Sequence, residues 1–202
     1  MARWTQNGKS ERHVIRSGTR GQRLIKREGG IYLDTDVYVL KAFSELLNNP
    51  KDTILGHEGG NRYGLCNAVI IARPGSEFIA KWWETYESFN DRNWNKHSVL
   101  VPKQLSVKYP ELVCALSPTA FFWPTWAKSH VHFMHEIINE EEVAQMEASL
   151  TQFGGAMYEN QLAYHATGGY HNGYFVGLTP DDILNKDTRF NLLVRDIYIT
   201  PI

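Results

Sequence analysis

Apolar and polar positions change period several times along the chain. In GGIYLDTDVYVL (residues 29–40), Ile31, Tyr32 and Leu33 form one β-type run and Val37, Tyr38, Val39 and Leu40 a second, split by Asp34-Thr35-Asp36. Such β-branched and aromatic enrichment behind a Gly-Gly pair predicts a buried strand, a break, then a short strand or extended loop. Upstream, Leu24 and Ile25 mark a short helix over about 19–28 that Gly29 ends, with Lys26 and Arg27 near its negative terminus. Downstream, residues 41–47 predict a short helix stopped by Asn48, Asn49 and Pro50. Strands are expected over 52–57 and 66–72, on either side of a glycine-dense loop (58–64) that reads equally as a hairpin turn or as backbone open to a ligand.

Phe78, Trp82, Trp83 and Tyr86 recur with helical spacing, predicting a helix from Pro74 to about Phe89 whose stripe is core packing. A helix over 98–109 carries Pro102 in its first turn, and 112–116 is a short strand. Asn139 and Glu142 have capping-box spacing ahead of Val143, Met146 and Leu150, and Gly154-Gly155 ends that helix. Residues 161–166 form a strand with His165 near its end; Asp181-Asp182 and 187–195 are solvated surface leading to a closing helix. Residues 1–19, polar and basic without a sustained period, are a loosely held lead-in, and 20–202 are one α/β domain without repeats.

The 202 residues, 43% hydrophobic and 21% charged, fit one globular core. A net charge of -1 gives no electrostatic case for nucleic acid. Neither an 18-residue apolar run nor a signal-peptide core is present, so no membrane span or targeting segment is expected, and the sequence alone leaves a cytoplasmic location open. Cys66 and Cys114 sit among apolar residues and read as small buried hydrophobes, with a bridge left open.

Two carboxylates at the end of an apolar strand need cations or donors, because a buried unpaired charge costs several kcal/mol. Mg²⁺ or Mn²⁺ suits them: hard cations take one or two carboxylates and complete their shell with water and phosphate oxygens. The bland alternative is a turn in which each aspartate bonds its own backbone. The loop Thr119–Trp126, with Phe121, Phe122, Trp123 and Trp126 around Pro124, reads either as a sugar-stacking platform or as a hydrophobic plug. His165 reads as a structural histidine or, if brought to the aspartates, as a ligand for Mn²⁺.

GGIYLDTDVYVLKAF (29–43), EGGNRYGLCNAVIIARPGSEF (58–78), WNKHSVLVPKQLSVKYP (94–110), LSPTAFFWPTW (116–126) and NQLAYHA (160–166) together resemble fungal members of glycosyltransferase family thirty-two, the DXD-bearing sugar-transferring enzymes. The resemblance implies a GT-A-like fold and a metal-dependent, retaining transfer of a hexose from a nucleotide-diphosphate sugar to a glycan or glycolipid acceptor. It implies catalytic roles for Asp34 and Asp36, Mn²⁺ (or Mg²⁺) on Asp34, Asp36 and His165, and substrate contacts at Gly30, Asp34 and Asn67; Trp123 and Trp126 join the substrate-binding residues if the aromatic loop is a platform and not a plug. It also implies work in the Golgi or secretory pathway.

Three features depart from the family pattern. Members carry Ser-Asp with an Arg three residues after the Asp; here Ser17 matches, but Gly18 and Gly21 occupy the Asp and Arg positions, with Arg20 one place off. Only 28 residues precede Gly29, fewer than one strand-helix-strand unit, so part of the N-terminal nucleotide-binding half is expected to be lacking. Members also follow the histidine with Ser-Trp, where Thr167 and His171 are the available substitutes here. Two other functions therefore stay open: a catalytically impaired sugar-binding remnant, and a phosphohydrolase with Asp34 as nucleophile, Asp36 as acid-base residue and Asp181-Asp182 as its acidic cluster.

Overall fold

A computed structural model of the chain describes residues 23–89, 93, 95–167 and 173–199. The lead-in, the Ser17, Gly18, Arg20 and Gly21 positions, and His171 lie outside the described residues. In chain order the strands are β1 (Gly30–Leu33), β2 (Val37–Val39), β3 (Thr53–Glu58), β4 (Gly64–Ala72), β5 (Val113–Leu116) and β6 (Ala163–His165). The helices are α1 (Glu77–Glu84), α2 (Val101–Lys108), α3 (Lys128–His135), α4 (Glu140–Gln152), α5 (Pro180–Asn185) and α6 (Arg189–Ile199). The chain divides into two compact units with interleaved segments: the first runs to Asp34 and adds Asn49–Leu55 and Tyr63–Leu116, and the second holds Thr35–Asn48, Gly56–Arg62 and Ser117 onward.

The first unit is built on a sheet of order β1-β4-β3-β5, β3 starting in this unit and ending in the second. Residues 23–28 are helical, and Gly29, at φ +66, closes that helix by donating its N–H to the Ile25 carbonyl at 2.8 Å. A side chain at Gly29 would strike the Pro74 ring at 2.5 Å, so glycine is required there twice over. β1 then pairs antiparallel with β4, Leu33 opposite Val69. It is an edge strand, with Ile31 42% exposed, and not the buried strand its composition predicts; an apolar run shows that a segment pairs and leaves open how many neighbours cover it.

Leu55, Leu65, Ile70, Phe78, Ile79 and Trp82 form the core of this unit. Pro74 does not open α1: it sits in the turn before it, and Ser76 caps the helix by accepting from Ile79 N–H at 3.1 Å. α1 stops at Glu84 and gives way to a 3-10 turn over Thr85–Ser88. Phe78 and Trp82 are fully buried, as their helical spacing predicts for core residues. Trp82 Nε1 donates to the His97 carbonyl at 2.7 Å, and the buried His97 ring packs against Tyr86 and Phe89, which stack on each other. Pro102 falls in the first turn of α2, as expected.

In the second unit β2 and β6 form a two-stranded antiparallel sheet, and Met134, Met146, Tyr164, Phe190 and Leu193 pack the core. The expected helix over 41–47 is reduced to a single 3-10 turn at Leu46–Asn48. α4 carries the predicted capping box, Asn139 accepting from Glu142 N–H while Glu142 accepts from Asn139 N–H. α3 was not foreseen, since KSHVHFMH buries only Val131 and Met134. Cys66 and Cys114 are free thiols, the first buried and the second half-buried.

Two outcomes test the first unit. A methyl group at Gly64 would lie 2.1 Å from Val99 Cγ1 and 2.7 Å from its carbonyl oxygen, so Gly64→Ala is expected to destabilise the protein by about 1–3 kcal/mol or more in denaturant titration. Burial, reinforced by the Lys96 charge, holds the His97 pKa below the ordinary histidine value. Neutral His97 therefore contributes stability that is fully present above the unfolded pKa of about 6.5 and is lost as pH falls below it. Melting temperatures measured between about pH 8 and pH 5 should fall more steeply for the wild type than for His97→Gln.

Candidate functional site

The opening segment of the first unit ends at the first aspartate. Asp34 donates its backbone N–H to the Ala68 carbonyl at 2.8 Å, which extends the β1–β4 pairing by one step. Its Oδ1 accepts a 2.6 Å hydrogen bond from the Tyr32 hydroxyl. Tyr32 stands two residues earlier, on the same face of the strand, so alternation alone brings the phenol and the carboxylate together. Asn67, the residue before Ala68, is the single half-buried position in a strand otherwise buried throughout. Gly30 lies exposed at the start of β1 with φ +106, a conformation open to glycine.

The second unit holds the other pair. β2 and β6 place Val37 opposite His165, and Ala166 N–H donates to the Asp36 carbonyl at 3.0 Å. His165 Nε2 consequently lies 3.3 Å from Asp36 Oδ1, with the imidazole 11% and the carboxylate 31% exposed. The back of the imidazole is fixed edge-on to the Phe122 ring, centroids 5.6 Å apart, and the His165 backbone N–H donates to the Phe121 carbonyl at 3.0 Å. Burial and the nearby Asp36 charge raise the Tyr38 pKa, keeping this phenol neutral beside the carboxylate. Asp34 and Asp36 are separated by Thr35 alone, so their Cα atoms are at most about 7 Å apart whatever the surrounding fold.

This donor set, two carboxylates and an imidazole, suits Mn²⁺ and is compatible with Mg²⁺. Adjacent ligands of an octahedral ion bound at about 2.1 Å lie about 3 Å apart, close to the Asp36–His165 separation.

The aromatic loop divides. Phe121 and Phe122 are buried and form the plug that was the bland alternative for this stretch, while Trp126 is 37% exposed. Trp123 is half-buried, edge-on to His130 at 4.6 Å, and a side chain at Gly60 would lie 3.2 Å from its ring. The loop is held by Gln161, a residue that sequence reading did not single out. Its fully buried amide donates to the Trp123 carbonyl at 3.0 Å and accepts from Met157 N–H at 2.8 Å. A polar residue opening an otherwise apolar strand was the available signal.

The chain has a fungal relative. It is 38% identical over 179 residues to Glucan organizing enzyme 1 of Cryptococcus neoformans var. grubii, a match covering 85% of this chain. It spans 44% of that protein's length. No family model and no solved structure matches the chain.

The acidic cluster that a phosphohydrolase needs is engaged elsewhere. Asp182 accepts from the Thr179 N–H and hydroxyl and pairs with Lys186, which caps α5 and holds its carboxyl far below the usual range. Asp181 accepts from Asn185 on the same helix.

Replacing Gln161 by Leu leaves the Trp123 carbonyl and the Met157 N–H buried without their partner. Gln161→Leu should therefore cost about 2–4 kcal/mol in chemical denaturation, with a matching loss of the near-ultraviolet circular dichroism of the tryptophans.

Proposed function

We propose that this chain is a metal-dependent glycosyltransferase of the DXD type, moving a hexose from a nucleotide-diphosphate sugar to a glycan or glycolipid acceptor with retention of configuration. The observation that carries it is the 3.3 Å approach of Asp36 to His165 across paired strands, with a second aspartate one residue away in the chain. Kinship with a protein named for glucan organisation adds support for glycan chemistry. The mixed α/β elements, with the Asp-x-Asp segment directly after a strand, are compatible with a GT-A-like fold.

In this reading Asp36 and His165 hold Mn²⁺ (or Mg²⁺), and Asp34 supports the ion and the sugar or ribose of the donor. When bound, the ion supplies Lewis-acid stabilisation of charge on the leaving diphosphate. Each residue has its own task. Phe122 keeps the imidazole from rotating, so Nε2 stays aimed at the Asp36 side. Tyr32 orients Asp34 by donating its hydroxyl to Oδ1. Asn67 offers an amide to the donor sugar from β4. Retention needs no protein nucleophile, because the acceptor hydroxyl can be guided by the leaving phosphate itself. A Golgi or secretory location accompanies the proposal; among the described residues no helix is long and apolar enough to cross a membrane.

Purified protein incubated with Mn²⁺ and a panel of UDP- and GDP-sugars should release nucleoside diphosphate from one donor, lose that activity with EDTA and regain it with Mn²⁺. Asp36→Asn and His165→Ala should each lower turnover by about 100-fold or more. Turnover of no donor, or full activity in Asp36→Asn, would leave the sugar-binding remnant as the better reading; phosphate release from simple monoesters would favour the hydrolase.

A further inference from the structure

Resting for its functional meaning on the glycosyl-transfer reading, we propose that the turn around His97 is a proton-operated latch: mild acidity opens it and frees the start of β4, the strand that carries Asn67.

Lys96–Leu100 form one π-turn, closed by Val101 N–H donating to the Lys96 carbonyl five residues back. Such wide turns are rare and concentrate at functional sites. His97 points inward from it, 2% exposed, with the rings of Tyr86 and Phe89 packed on its imidazole at 5.4 and 5.6 Å. Hydrogen bonds fix the tautomer. Thr85 Oγ1 spends its proton on the Trp82 carbonyl at 2.7 Å, so it is an acceptor toward His97 Nδ1, 3.5 Å away. Nδ1 therefore carries the hydrogen and Nε2 the lone pair. Among the described residues nothing bonds Nε2, which is buried. A bare lone pair among aromatic rings costs little, whereas a proton there creates a buried, charged N–H without an acceptor. The closed turn rejects that proton, and the ring takes it only by reaching water.

The surroundings do not compensate a charge. Burial is the largest influence against the proton, Lys96 on the same turn adds to it, and a bond to the Ser88 backbone opposes both. Glu84 and Glu87, on the α1 side, are exposed, and the Tyr86 hydroxyl donates to the His97 carbonyl at 3.4 Å. On α2, Lys103 is a further cation, donating to the Tyr63 carbonyl, and β4 offers only the Cys66 thiol. In the open turn His97 titrates near the ordinary value of about 6.5, and in the closed turn lower. The open fraction is therefore smallest above that pH and grows as pH falls toward the closed-form value.

Transmission to β4 is steric. Val99, two residues on, seats against Gly64 at the start of β4, so closely that a methyl group on Gly64 would lie 2.1 Å from its side chain. The His97 carbonyl, accepting from Trp82 Nε1, ties the turn to α1. Opening releases both attachments and uncovers residues 64–66, which immediately precede Asn67. For the proposed reaction the open form weakens donor binding at Asn67 without touching Asp36 or His165.

The test is amide hydrogen exchange of the full chain, followed by NMR at about pH 7.5 and about pH 5 with low concentrations of urea and corrected for intrinsic rates. Long-range ¹⁵N–¹H correlation of the imidazole nitrogens accompanies it. At the higher pH the ring shifts should place the hydrogen on Nδ1. At the lower pH the amides of residues 64–66 and of Val101 should exchange faster by up to about 30-fold, the ratio set by a group that titrates near 6.5 when open, and independently of urea. The Ile79 amide in α1 should keep the urea dependence of global unfolding. In His97→Gln the acceleration at residues 64–66 and Val101 should vanish. None of these readouts uses donor turnover, so a failed sugar-transfer reading leaves them intact. The inference is overturned if those amides exchange at the lower pH only with the urea dependence of Ile79, or if His97 takes up its proton while they stay protected. It is equally overturned if the hydrogen resides on Nε2, or if His97→Gln keeps the wild-type pH dependence. Should His97→Gln not fold, the wild-type exchange and ring titration decide the matter.

Discussion

The pairing of β2 with β6 is the constraint on which the chemistry depends. Three residues on each side, Val37 against His165, Tyr38 against Tyr164 and Val39 against Ala163, join segments more than 120 positions apart in the sequence and fix which side chains meet. A slip of one residue would turn His165 to the opposite face and replace it at the Asp36 side with Tyr164 or Ala166, neither of which is a metal ligand of that kind. The register is secured by the Ala166 N–H on the Asp36 carbonyl and by Tyr38, whose ring packs edge-on to Phe190 in the core of the unit. Short strands are weak on their own; this one is held because its side chains are shared with helices α3, α4 and α6 around the same core.

Around that pairing the second unit separates residues that must be rigid from those left open to a ligand. Gln161 and the Phe121–Phe122 plug anchor the aromatic loop, Phe122 also packs edge-on against the imidazole, and Trp126 is 37% exposed. One aromatic cluster thus serves both as core and as a brace for His165. Binding geometry held by packing in this way loses little entropy when a ligand arrives.

The first unit applies the same economy to Asp34. Gly29 ends a helix, β1 pairs to its last residue, and the carboxylate emerges where the pairing stops, oriented by Tyr32. A charged group can sit there because an edge strand leaves it partly solvated; in a central strand it would be desolvated without a partner.

Local rules were enough to read several parts of this protein from the chain. The strand-break-strand around Asp34 and Asp36, the Asn139 capping box, Pro102 in a first helical turn and the burial of Phe78 and Trp82 all follow from short-range sterics and periodicity. The boundaries that failed are those where tertiary contacts compete: Ser76, bonded to Thr53, captured the start of α1 from Pro74, and residues 41–47 formed only a 3-10 turn. The sequence by itself determined that two carboxylates stand one residue apart, because covalent spacing needs no fold. Only tertiary structure decided that His165 joins Asp36, that β1 lies at an edge, and that of the loop tryptophans Trp126 is exposed while Trp123 is packed. Those outcomes depend on pairing and burial between segments far apart in the chain, which no local pattern encodes.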